Sequence, residues 1–365
     1  MKVHVTLVGG QPAPVYNGII ATQPEKVVFV YSDKSREVAE RISKEVKLPS
    51  ERRKVDPVDL NDIEKKVLQC AEQFKDDQVS VNISSGTKPW AFYFAKIFGQ
   101  MPNATLFYVD QNNTLWNLTD KSSRKVDFDM DAQFRLLGNR LTNFKRFSEL
   151  DDNDKACVDK IELLRNHSVS EFNELVSYFN KHKNATQYAT SNGSQLTWSK
   201  TAKSFRCCVR NKKGREITVE LQSRHVRTLL LNTGWFEYKV ATILSRWDKS
   251  SDIRLNCKFP ASNNAPKNEI DIIVNAGDKL LFVECKTQIH EITDIDKFSA
   301  AVKNYGGMSS KALFVTDAPI SDVAQEKCAV NGVLSFSLQE NNLGLAPEKA
   351  LALLLDSELF NINTK

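Results

Sequence analysis

Three things are missing from this 365-residue chain: a long apolar run, a spaced pair of cysteines and a cluster of histidines. A bilayer span needs about 20 consecutive apolar residues, and none is present. Met1 leads straight into the strand-like KVHVTLV, so neither a signal peptide nor a transmembrane segment is expected. The seven cysteines are odd in number, none are spaced C-x-x-C, and the adjacent Cys207 and Cys208 cannot form an ordinary bridge. A reducing, cytoplasmic setting is the expectation. His4, His167, His182, His225 and His290 stand at no metal-ligand spacing and read as structural or surface residues. Charge of one sign is also scarce: a net charge of +5 is too mild to mark a nucleic-acid binder by itself. The dinucleotide fingerprint is absent as well, because Gly9-Gly10 lacks the G-x-G-x-x-G spacing and its acidic partner, which argues against a nicotinamide cofactor.

What is present is an ordinary globular composition, 41% apolar and 26% charged, with enough length for two or three domains. The stretch NEIDIIVNAGDKLLFVECKT carries the chemistry. Residues 268–275 and 279–286 are rich in Ile, Val, Leu and Phe and are separated by Gly277-Asp278, a Gly-first pair that suits a two-residue hairpin turn. That register sets Asp271 opposite Glu284, with Cβ atoms about 5 Å apart. Lys286, two residues beyond Glu284, shares the face, while Ile270, Val283 and Cys285 point the other way.

Two carboxylates so placed suit a hard cation such as Mg²⁺ or Mn²⁺, which keeps waters and binds through one or two carboxylates plus substrate phosphate. Lys286 would orient or deprotonate the water, or steady the transition state. A solvated strand face with surface ion pairs is the competing reading. The almost fully apolar LLFV run before Glu284 and the order of the neighbouring elements argue against it. A helical stretch, GWFEYKVATILSRW, precedes a strand at 253–259 and the hairpin. A helical run at 292–305, a strand at 311–316, a second helical run ending near Gly332 and the strand VLSFS follow.

This order, together with G-W-F-E at 234–237, I-D at 270–271 and E-C-K at 284–286, resembles the PD-(D/E)XK nuclease superfamily. The resemblance implies Glu237 as the first-helix carboxylate, Asp271 and Glu284 as metal ligands and Lys286 as the catalytic lysine. Ile270 stands where the family name has Pro. A plain surface charge is the competing reading of Glu237, and Gln288, two residues past Lys286, is a further candidate. Nine Lys or Arg residues lie within 200–227, against Glu216 and Glu220; they read either as a phosphate-contacting flank or as a solvated β-hairpin face.

The front half alternates strand-like runs at 2–8, 26–32, 79–84 and 104–110 with helical stretches such as SREVAERISKEV and DIEKKVLQCAEQF, the pattern of a parallel α/β sheet. Such sheets bind ligands beyond the carboxyl ends of their strands. Two of these ends are suited to it. LVGGQPAP follows the first strand. VNISSGTKPW runs from a strand into a helix whose hydroxyl caps, Gly86 and Lys88 would receive a phosphate.

S-G-T-K after an apolar strand, in an α/β domain ahead of a PD-(D/E)XK core, resembles the CARF family of CRISPR-associated Rossmann-fold sensors and, over nearly the whole chain, the cyclic-oligoadenylate-activated nucleases of type III CRISPR defence. The resemblance implies a homodimer sharing one cyclic oligoadenylate, with Ser85, Gly86, Thr87 and Lys88 on ribose and phosphate and Gly9, Gln11 and Pro12 lining the cleft. Asn82 and the 110–113 loop are additions to that set. The expected fold is therefore α/β, a Rossmann-like CARF domain at 1–144, a helical and β-rich connector at 145–222 and a restriction-endonuclease-like PD-(D/E)XK domain at 223–365. Glu149 to Asp154 reads as an acidic linker and 184–195 as a loop.

The expected function is a metal-dependent endonuclease activated by a cyclic oligoadenylate, the tetra-adenylate ring first, acting on DNA, with single-stranded DNA or RNA kept open. A ligand-controlled nucleic-acid binder without catalysis and an unregulated restriction or repair nuclease are the alternatives. A sensor that degrades its own ligand is compatible with the main reading.

Overall fold

The structure is a computed structural model that describes residues 1–110, 112–127, 129–261, 267–277, 279–289, 291–307, 310–340 and 344–362. The chain divides into two compact units. The first comprises Met1–Leu141, Gly277–Leu280 and Lys303–Ser310; the second comprises Thr142–Ala276, Leu281–Val302 and Lys311–Lys365.

The first unit runs β1 (Lys2–Leu7), α1 (Pro12–Thr22), β2 (Lys26–Tyr31), α2 (Arg36–Val46), β3 (Ser50–Lys54), α3 (Leu60–Gln73), β4 (Gln78–Asn82), α4 (Lys88–Phe98), β5 (Ala104–Val109), β6 (Thr114–Asn117), β7 (Ser123–Lys125) and α5 (Met130–Leu136). Its sheet has the order β3-β2-β1-β4-β5-β6-β7, parallel from β3 to β5 and antiparallel beyond. Alternation along β2 explains the two layers of helices. Val28 and Val30 pack with Ile63 and Val67 of α3 and with Trp90, Phe94 and Phe98 of α4, whereas Val27 and Phe29 pack with Val15 and Ile19 of α1 and with Val38 and Ile42 of α2. A strand covered on both faces favours apolar residues on both, as β2 has from Val27 to Val30. Trp90, Phe94 and Phe98 recur at four-residue spacing, so one face of α4 is buried, and each such side chain contributes roughly 1.5–3 kcal/mol by leaving water. Because α1 leads outward from β1 on one side and α4 from β4 on the other, the order of the sheet reverses between β1 and β4. That reversal opens a crevice at their carboxyl ends.

The second unit runs β8 (Asn143–Arg146), α6 (Asp152–His167), α7 (Val169–Lys181), β9 (Gln187–Ala189), β10 (Gln195–Ser199), β11 (Ser204–Arg210), β12 (Glu216–Gln222), α8 (Val226–Leu231), α9 (Gly234–Ser245), β13 (Asp252–Lys258), β14 (Glu269–Asn275), β15 (Leu280–Lys286), α10 (Thr293–Tyr305), β16 (Ser310–Thr316), α11 (Asp322–Val330), β17 (Val333–Ser337) and α12 (Pro347–Phe360). A four-stranded sheet, β12-β11-β10-β9, is antiparallel; a six-stranded sheet has the order β17-β16-β15-β14-β13-β8. One apolar core joins Cys157 and Ile161 of α6 to Phe205 of β11, Trp235 of α9, Val283 of β15 and Leu359 of α12, so residues 145–222 and 223–365 are packed together.

Two expectations change. The acidic stretch 149–154 is a helix start rather than a linker: the Asp151 carboxylate accepts hydrogen bonds from the N–H groups of Asn153 and Asp154, the Asp154 carboxylate accepts one from the Asp151 N–H, and Asp154 is fully buried. Residues 184–195 are not loop throughout, because β9 pairs with β10 through Gln187, Tyr188 and Ala189. No described helix is long and apolar enough to cross a membrane.

Candidate active site and sensor cleft

The Leu280–Cys285 run of β15 is buried on both faces, and only at Lys286 does the strand reach partial exposure. Glu284 is thus a carboxylate inside the sheet, 2% exposed. Its Oε1 lies 3.1 Å from Lys286 Nζ, and its Oε2 is held by Lys267 Nζ. Asp271 lies on the neighbouring β14, where its Oδ2 accepts a hydrogen bond from the Cys285 N–H at 2.8 Å. The hairpin turn expected at Gly277-Asp278 keeps a left-handed Gly277 (φ +79°), while Asp278 lies outside the described residues.

Glu237 comes in from α9, whose first residue, Gly234, sits so close to the preceding chain that a Cβ would stand 2.8 Å from the Thr228 carbonyl oxygen. Asn256 Nδ2 donates to Glu237 Oε2 at 2.6 Å. Asn256 adopts a left-handed φ of +50° within β13, beside the irregularity where β13 meets β8. Gln288 follows β15 in an exposed bend.

The electrostatics are those of a crowded anionic pocket. Burial, and then the Glu284 carboxylate, push the Asp271 carboxyl up from its ordinary range; burial, and then Asp271, do the same to Glu237. At Lys286 burial works against the ammonium, but Glu284 and Asp271 outweigh it and raise its pKa. Among the described residues no ready-made group of three or more His, Cys, Asp or Glu stands around one metal position. The oxygen donors on offer are Asp271 and Glu284, with Glu237 beside them. A cavity of about 20 Å³, room for roughly one water, is lined by Glu237, Asn256, His225 and Lys145. Buried Asp154 holds the His225 ring, with Oδ2 3.0 Å from Nδ1.

In the first unit the carboxyl ends of β1 and β4 meet. The Gly9 N–H donates to Ser85 Oγ at 3.0 Å, and a Cβ on Gly9 would stand 2.7 Å from that oxygen and 2.8 Å from the Gly86 nitrogen. Gly86 has φ +80°, and a Cβ there would meet Trp90 and Leu7 at 2.8 and 2.9 Å. Thr87 caps α4 by accepting from the Trp90 N–H at 3.4 Å, which leaves Lys88 exposed in the first helical turn. Gln11 is the exposed N-cap of α1 and Pro12 its buried first residue. Two helix N-termini, α1 and α4, therefore open beside one another at the crevice. Asn82 is fully buried; its Nδ2 donates to the Pro14 carbonyl at 3.0 Å and its Oδ1 accepts from the Ser84 N–H at 3.0 Å. In the 110–113 loop, Asp110 accepts from the N–H groups of Asn112 and Thr114 and from Trp116 Nε1. Buried Asn113 accepts from Asn17 at 2.9 Å, and Gln111 lies outside the described residues.

Comparison with known proteins gives a family to each unit. Residues 3–136 match the Card1 CARF domain, and residues 224–332 match the Card1-like endonuclease domain. The chain belongs to these two domain families. Its CARF domain holds the β1/β4 crevice and its endonuclease domain holds Glu237, Asp271, Glu284 and Lys286. The fold is shared with Can2 from Sulfobacillus thermosulfidooxidans, solved in complex with cyclic tetra-adenylate (TM-score 0.68, 17% identity, 98% of this chain and 99% of that one). It is also shared with VC1899 from Vibrio cholerae (TM-score 0.73, 15% identity, 98% of each). A type III CRISPR defence DNA nuclease activated by cyclic oligoadenylate matches 96% of this chain over 51% of its own (TM-score 0.57, 16% identity). No curated protein matches the chain.

Two residues of the endonuclease site were not anticipated. Lys267 lies before β14, outside the D…E-x-K spacing, and only its position next to Asn268, where the alternation of β14 begins, could have flagged it. Asn256 reaches Glu237 through a left-handed backbone that its residue type tolerates, a weak signal on its own. Of the basic residues at 200–227, Arg210 is taken by Glu216 across the β11–β12 pair, and Arg227 lies over the Trp198 ring at 5.0 Å.

Proposed function

We propose that the chain is a divalent-metal-dependent endonuclease that hydrolyses phosphodiesters when a cyclic oligoadenylate, the tetra-adenylate ring first, occupies its CARF domain. DNA is the expected substrate, with RNA as the second. The observation that carries the reading is the crowding of Asp271 and Glu237 around the buried Glu284: burial first, and then the neighbouring carboxylates, push Asp271 and Glu237 towards their neutral forms, and such a set of oxygen donors suits a hard cation. Asp271 and Glu284 would hold Mg²⁺ or Mn²⁺. The ion would supply a water of lowered pKa and offset charge on the phosphate. Lys286, kept charged by Glu284, orients the attacking water and steadies the charge that develops on the phosphoryl oxygens. Glu237, fixed by Asn256, completes the anionic wall.

On the sensor side the phosphates of the ring would be received by the N-termini of α1 and α4 and by Lys88, with Ser85, Gly86, Thr87, Gly9, Gln11 and Pro12 around them. Asn82 acts as a positioning residue, tying Pro14 at the start of α1 to Ser84 beyond β4. A homodimer would present two such crevices to one ring, and the 145–222 segment would transmit the change. Each tenfold preference of the ring for the active arrangement supplies about 1.4 kcal/mol. The reading is supported by two structural relatives, one solved with cyclic tetra-adenylate and one a DNA nuclease activated by cyclic oligoadenylate.

The test is plasmid cleavage with cyclic tetra-adenylate present, in Mn²⁺, in Mg²⁺ and in a chelator. Cutting that requires the ion supports the reading. Cutting that persists in chelator would remove the metal from it.

A further inference from the structure

Glu284 is a buried carboxylate with two lysines on it, and the E-x-K pattern accounts for only one of them. Lys286 arrives from the same strand and takes Oε1; Lys267 arrives from the segment ahead of β14 and takes Oε2. Lys267 does not hang loosely there. Its neighbour Asn268 is pinned across β13, donating from Nδ2 to the Phe259 carbonyl at 3.1 Å, while Asn268 accepts the Phe259 N–H at 2.8 Å. Lys267 is also only 22% exposed at the side chain. Its charge also bears on Asp271, working against the upward push of burial on that carboxyl. An ammonium held on an oxygen of the buried Glu284 stands where a bound cation's charge would be felt most.

We infer that Lys267 is a resident counterion of the endonuclease site: it holds Glu284 Oε2 while no divalent ion is bound, gives that oxygen up when one binds, and so sets how readily the site loads. The inference rests on the proposed metal reading of Asp271 and Glu284. A buried carboxylate cannot be left without compensation, which is why a site that must be stable empty needs such a group. The same group, sharing an oxygen donor with an incoming cation of like charge, competes with it. Lys286 remains on Oε1 and keeps its role towards water.

The test is Mn²⁺ binding, with the metal alone, to the full chain and to Lys267→Met, Lys267→Arg and Glu284→Gln, followed by calorimetry and by the electron paramagnetic resonance of free Mn²⁺. Removing the charge while keeping the stem should tighten Mn²⁺ binding by about tenfold, equivalent to about 1.4 kcal/mol, and should lower the melting temperature of the metal-free protein. Lys267→Arg, which keeps the charge, should stay within about threefold of the wild type in affinity, and Glu284→Gln should lose the site. Unchanged or weaker Mn²⁺ binding by Lys267→Met, with the wild type binding normally, overturns the inference alone. Absence of Mn²⁺ binding in the wild type overturns the metal reading and the inference with it.

Discussion

The backbone N–H of Gly9, just beyond β1, donates to the hydroxyl of Ser85, just beyond β4, across 3.0 Å. This one contact brings together two chain segments separated by more than three secondary elements, and it does so at the point where the sheet reverses direction. Because the Gly9 Cα faces the Gly86 nitrogen, no side chain fits. Gly9→Ala should therefore weaken binding of cyclic tetra-adenylate by about tenfold or more, as measured by calorimetry. Gly86→Ala adds the strain of a left-handed φ and a collision with Trp90, and should cost about 1–3 kcal/mol of stability in denaturant unfolding.

Lys88 sits in the first turn of α4 with its side chain exposed, at a helix end whose N–H groups favour anions. Lys88→Ala should raise the ring concentration needed for half-maximal activation by about tenfold and leave Mn²⁺ binding at the endonuclease site unchanged. A titration of cleavage rate against ring concentration checks this.

Glu284→Ala and Lys286→Ala should each reduce cleavage by about a hundredfold or more, while ring affinity holds at the wild-type value. Loss of ring binding in either variant would mean that they unfold the protein rather than disable the site. Full activity in Glu284→Ala would show that the carboxylate beside Lys286 is not the one that matters.

His4 lies in β1, fully buried, with Nδ1 2.8 Å from the Thr22 hydroxyl, and burial brings its pKa down to about 3 from 6.5. Above pH 6.5 both folded and unfolded chains hold it neutral. Between 6.5 and 3 the unfolded chain binds a proton that the folded one refuses, so this contribution to stability is complete above 6.5 and is lost as pH falls, by about 1.4 kcal/mol per unit. Urea unfolding at pH 7 and pH 5 should show a drop about 2 kcal/mol larger for the wild type than for His4→Gln.

Four strands of the CARF domain were legible because β1, β2, β4 and β5 carry Val, Leu or Phe at close spacing, whereas β3, with the sequence SERRK, and the short β6 and β7 give no such signal. The order of the strands was not legible. Adjacency of β1 and β4 is a long-range pairing that leaves no local mark, so the family resemblance, and not the residues themselves, put the two glycine-bearing strand ends around one cleft. In the endonuclease domain the period of two placed Asp271, Glu284 and Lys286 near one another, and the structure brings them together. Lys267 and Asn256 escaped because one enters from outside the motif and the other depends on a backbone irregularity in β13. The acidic run at 149–154 misled because a helix-capping aspartate and a solvated linker aspartate look alike until the N–H groups they serve are seen.

The most direct test of the account is cleavage of supercoiled plasmid, with labelled single-stranded DNA and RNA alongside, in Mn²⁺ or Mg²⁺, with no ring, with cyclic tetra-adenylate and with cyclic hexa-adenylate. The account predicts cutting of DNA only when cyclic tetra-adenylate is present. Equal cutting without any ring would contradict it.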